Sequence, residues 1–100
     1  MNGRDRAADL LRALRRTGGV PFTPLLVESR GWSSATFCGE RVTLRLRCDA
    51  DPRLPTWLET LAEAELPMRG CYVADLCVRD VECGADGATL VLDALVLESL

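Results

Sequence analysis

The chain has no histidine, lysine, glutamine or isoleucine, and arginine supplies all 12 of its basic side chains. Without imidazole there is no proton acceptor poised near neutral pH and no nitrogen ligand of the commonest metal-binding kind. An arginine can lower a thiol pKa but cannot take its proton, so the five cysteines lack the usual base for nucleophilic catalysis. The preference for Arg over Lys and for Val and Leu over Ile is read as GC-rich coding, a property of the genome and not of the activity.

Long apolar runs are missing too. The longest are a few residues, far below the roughly 20 needed to cross a bilayer, so no membrane span is expected. The N-terminal stretch has no apolar core of signal-peptide length and carries Asp5 and Asp9, which argues against signal and transit peptides and for the cytoplasm. There the cysteines are expected as free thiols packed as small apolar side chains. No close-spaced cysteine pair is present. Cys71, Cys77 and Cys83 fall on one strand, roughly 20 Å between neighbours at about 3.3 Å per residue, too far to share a metal ion. Gly18-Gly19 and the Gly84 to Gly87 stretch match no phosphate-binding loop, and no cofactor is expected.

What is present describes one small domain over residues 1–100, with 48% hydrophobic and 27% charged residues and a net charge of −3. Ala7, Leu10, Leu11 and Leu14 recur at helical spacing, predicting an amphipathic helix over 4–16 that Gly18-Gly19 ends. Segment 25–49 reads as a hairpin in which Val42, Leu44, Leu46 and Cys48 alternate with Arg41, Thr43, Arg45 and Arg47. Its turn is predicted at Gly39-Glu40, which sets Phe37 opposite Val42 and Trp32 opposite Arg47, with a bulge at Arg30-Gly31. A second helix is predicted from an Asp51 cap and Pro52 to a stop at Pro67, with an apolar stripe from Leu54 through Trp57, Leu58, Leu61 and Ala62 to Leu66. Segment 71–97 reads as a second hairpin turning at 84–87. The change of parity after Val78 predicts a bulge at Arg79-Asp80 in its first strand. The last strand is apolar on both parities and needs cover on both faces. The expected architecture is α+β in the order α-β-β-α-β-β. A four-stranded antiparallel sheet carries two helices packed on one face, and a repeat of αββ units is suggested over 4–49 and 52–98.

Three surfaces carry functional expectations. In one, Val91, Leu95 and Leu97 leave an apolar patch on the sheet face away from the helices. It points to a non-catalytic interaction module that self-associates as a dimer through its sheet or binds a protein partner. In the second, a two-residue turn at Asp86-Gly87 sets Asp80 opposite Asp93, with Asp75 near, and the carboxylates serve a small enzyme or metal-dependent site, whereas a four-residue loop pairs Asp80 with Val91 and weakens the constellation. In the third, Trp32, Ser34 and Thr36 face Arg41, Arg45 and Arg47 as an anion or nucleic-acid binding face, although the acidic balance argues against nucleic acid.

Overall fold

The computed structural model describes residues 5–99. Its elements are α1 (Arg6–Arg15), β1 (Thr23–Ser33), β2 (Cys38–Asp49), α2 (Leu54–Leu61), β3 (Cys71–Gly84) and β4 (Gly87–Glu98). The strands form one antiparallel sheet in the order β1-β2-β4-β3, so the expected α+β architecture is the one adopted.

Helix α1 begins where the Asp5 carboxylate accepts the Ala8 N–H at 3.1 Å, satisfying a donor that has no partner within the helix. Position 4 of the expected helix lies outside the described residues. Gly18, at φ 74°, turns the chain out of the helix. Ala7, Leu10, Ala13 and Leu14 are buried, and they join Leu54, Trp57 and Leu61 of α2 in a single core. That core rests on one face of the two central strands. Val42, Leu44, Leu46 and Cys48 of β2, with Ala88, Leu90, Leu92, Ala94 and Val96 of β4, are all 0–3% exposed. Burial of each larger aliphatic side chain is worth about 1.5–3 kcal/mol, so these alternating positions dominate the stability.

Polar contacts fix the helices at two corners. Trp57 stacks on Phe22 with ring centroids 6.0 Å apart, donates its indole N–H to Thr17 Oγ1 at 2.8 Å, and leaves no room beside it for anything larger than Gly19. Arg6 is buried beside Asp9 at 3.7 Å, donates to the Arg69 carbonyl at 3.2 Å, and lies 3.8 Å from Glu98 at the end of β4.

Four local expectations are corrected. Helix α2 ends at Leu61 instead of running to Pro67. Glu63 and Ala64 donate to the carbonyls three residues back, at 3.1 and 3.3 Å, which tightens and closes the helix. Continued helix would carry Leu66 about 140° around the axis from Leu61. By leaving the helix the chain brings Leu66 into the core at 8% exposure.

The first hairpin turns at Ala35-Thr36, where Ser34 N–H donates to the Phe37 carbonyl at 2.8 Å and Ser34 Oγ accepts the Phe37 N–H at 3.2 Å. Gly39 lies inside β2, where an added Cβ would stand 2.0 Å from the Val96 carbonyl oxygen, so close strand packing and not a turn requires it. Trp32 therefore pairs with Gly39, not with Arg47. The β1 bulge falls at Leu25 instead of Arg30-Gly31. In β3 the expected bulge at Arg79 is present. A further one at Ala74 puts Val73 toward the core and leaves Tyr72 exposed, although the alternation assigns Tyr72 to the dry face.

Candidate interaction surface

Both helices cover the same side of the sheet, so among the described residues the opposite side is bare. Its pattern follows from alternation and register. Arg41, Leu95 and Asp75 form one row across β2, β4 and β3; Arg45, Val91 and Asp80 form the next but one; Arg47, Thr89 and Glu82 follow. Guanidiniums thus stand on β2, carboxylates on β3, and mainly apolar side chains between them on β4. Val91 and Leu95 are half-buried, whereas Leu97 is only 6% exposed in a row flanked by Tyr72 and by Gly39 and Trp32. The expected three-residue patch is therefore largely closed at Leu97 within the chain itself and open at the other two.

The structure does not assemble the anion set as expected. Arg45 pairs with Leu26 and Arg47 with Thr23. Trp32, opposite Gly39, lies roughly 26 Å along the strand from Arg47 at about 3.3 Å per residue. Ser34 and Thr36 sit in the exposed turn beyond it. A different basic cluster occupies the middle of the face: a cleft of about 260 Å³ walled by Arg30, Arg41 and Arg79 together with Glu28, Thr43 and Asp93. Arg79 is already paired with Asp93. Arg30 and Arg41 stand directly opposite each other, and among the described residues neither makes an ion pair. Like charges placed so cost stability. Alternation along β1 and β2 could have revealed that pair only with the correct turn.

The carboxylates are not brought together as a pair either. Asp80 pairs with Val91, and Asp93 pairs with Cys77. Asp93 accepts the Thr43 hydroxyl at 3.0 Å while bridging to Arg79, so its oxygens are engaged in holding β2, β3 and β4 together. Asp75 belongs to the row of Leu95. Among the described residues no group of three or more acidic or thiol side chains is placed to hold a metal ion.

No disulfide joins any of the five cysteines, and only Cys48 and Cys71 are buried; Cys38, Cys77 and Cys83 are exposed, contrary to the expectation that the thiols pack in the core. Burial raises the Cys48 pKa. Cys38 Sγ donates to Glu98 Oε2 at 3.3 Å, and this bond, reinforced by the carboxylate charge, raises the Cys38 pKa and keeps the thiol protonated.

Bare on one face and sealed on the other, the sheet defines a small α+β domain whose distinctive feature is an open strand surface. Compared with known proteins, the chain matches no family model, no curated protein and no solved structure. Among the described residues no helix is long and apolar enough to cross a membrane.

Proposed function

We propose that this protein is a non-catalytic interaction module that self-associates through its sheet. The observation that carries the reading is the one-sided covering of the sheet: apolar side chains lie outside the core on surfaces that no element covers among the described residues. Val91 and Leu95 lie half open on the bare face, and Leu25, Leu26 and Val27 on β1 are 54%, 44% and 43% exposed. Exposed apolar side chains grouped in this way, one set on β4 and one on β1, mark association sites. The carboxylates that could have carried acid–base chemistry are dispersed or, like Asp93, bound to an arginine, and the clustered Arg30 and Arg41 supply charge but no proton acceptor, which supports binding over catalysis.

Light scattering coupled to size-exclusion chromatography tests the proposal. The expected mass is a multiple of the 10.9 kDa chain at tens of micromolar protein. A strict 10.9 kDa species at millimolar concentration overturns it.

A further inference from the structure

The geometry points to the free edge of β1 as a strand-pairing site for β1 of a second copy of this chain, in an antiparallel register centred on Ser29; this deepens the self-association reading and rests on it. The two edges of the sheet are unlike. Strand β3 is interrupted by two bulges, and Asp75, Arg79, Asp80 and Glu82 stand exposed along it, the usual devices that keep an edge from pairing. Strand β1 pairs without interruption from Leu26 to Ser33, and every residue from 25 to 31 is exposed, so neither helix obstructs that edge.

The hydrogen-bond phase decides which groups are free. Ser34 N–H bonds Phe37 O in the first hairpin, and Ala50 N–H bonds Asp86 O where β2 meets β4. Both bonds place the even-numbered residues of β1 in the ladder with β2. The N–H and C=O groups of Val27, Ser29 and Gly31 therefore face outward.

A second β1 running antiparallel about Ser29 engages those groups. Ser29 then bonds its own counterpart, and Val27 bonds Gly31 of the other copy. The even residues become the close, non-hydrogen-bonded pairs, in which side chains approach most nearly. Glu28 meets Arg30 of the other copy, twice by symmetry, and Leu26 meets Trp32, also twice. Opposite charges and an aromatic–aliphatic pair are the favourable cross-strand combinations. The arrangement also gives Arg30, which faces Arg41 and makes no ion pair among the described residues, a carboxylate from the second copy. The product is one continuous eight-stranded sheet with β3 at both ends.

Charge exchange on the full chain tests this register. Arg30→Glu sets like charges opposite each other at two symmetric positions and is expected to weaken association at least tenfold, while removing the Arg30–Arg41 opposition leaves the fold intact. The double variant Glu28→Arg/Arg30→Glu restores both pairs and is expected to recover wild-type association. Ser29→Pro deletes an outward N–H that the β1–β2 ladder does not use, together with the exposed Ser29 hydroxyl–Glu40 hydrogen bond, and is expected to abolish pairing with unchanged circular dichroism. Amide exchange adds a local readout, with Val27, Ser29 and Gly31 protected in the assembled protein and unprotected in Ser29→Pro.

If association survives both Arg30→Glu and Ser29→Pro but is lost in Leu95→Glu, the edge inference is overturned while self-association through the sheet stands. A wild type that is monomeric throughout overturns both. Failure of the double variant to rescue overturns the Ser29-centred register.

Discussion

An added Cβ at Gly19 would stand 2.0 Å from Cδ1 of Trp57, an indole that is 5% exposed and held by Phe22 on one side and Thr17 on the other. Gly19→Ala must expel the ring or distort the α1–β1 loop, and overpacking of this kind costs about 1–3 kcal/mol. Urea unfolding is expected to show that loss. Gly31→Ala, with nothing within 4 Å of the new carbon, is expected to fall within about 0.5 kcal/mol of wild type. The cysteines make a second residue-scale prediction. A thiol reagent should modify Cys38, Cys77 and Cys83 in the native protein and reach Cys48 and Cys71 only on unfolding. Cys38 should react more slowly than Cys77, and Glu98→Gln should speed it, because the carboxylate raises its pKa and so depletes the thiolate. Neither prediction was legible in the sequence. A glycine that permits a turn and one that permits close packing are the same letter, and Gly39, read as a turn residue, is required by a carbonyl that lies in β4.

At the scale of elements, alternation was the readable signal and pairing was not. The observed first hairpin differs from the expected one by eight positions, an even number, so Trp32 and the residues from Arg41 to Cys48 kept their faces while losing their expected partners. Arg41, Arg45 and Trp32 therefore share the bare face as the alternation implies, yet the Trp32–Arg47 pair and the anion site built on it do not form. The Arg79 bulge was legible because a parity change has few causes. The one at Ala74 was hidden by an apolar residue on either parity.

Helix α2 shows how local polar chemistry replaces an expected cap. Its N-cap is Arg53, whose side chain makes no capping bond. Asp51, two residues earlier, accepts the Arg53 N–H at 2.8 Å and its guanidinium at 2.8 to 3.3 Å. The Arg53 side chain first, and then the Arg53 backbone N–H, lower the Asp51 pKa from 3.8 to about 2. A carboxyl with a folded pKa below its unfolded one binds fewer protons when folded. Its stabilisation is complete above about pH 4 and is lost as pH falls through about 2. Asp51→Asn should flatten the acid dependence of thermal stability across that interval. An unchanged slope in a pH series of melting curves would refute the assignment.

For the whole molecule, the order β1-β2-β4-β3 places the second strand of each αββ half at the centre and the first strand of each at an edge. That order explains the two-sided apolar character of β4, which lies between β2 and β3 with one face under both helices. It could not be read from one chain, because either hairpin strand has the composition to lie inside. Once the edges are known, their unequal protection has a thermodynamic consequence. If β1 pairs with a second copy, the folded state is bimolecular and mass action makes its stability depend on protein concentration. Each tenfold rise then adds about 0.7 kcal/mol per chain, half of RT ln 10 per tenfold change in binding. With the usual unfolding entropy of a domain this size, the melting temperature should rise by roughly 3–5 °C per decade of concentration. Ser29→Pro removes the bimolecular term, so its melting temperature should be lower at high concentration and independent of dilution. Calorimetry of the two proteins over two decades separates this from a general loss of stability, which would lower the whole wild-type line without flattening it.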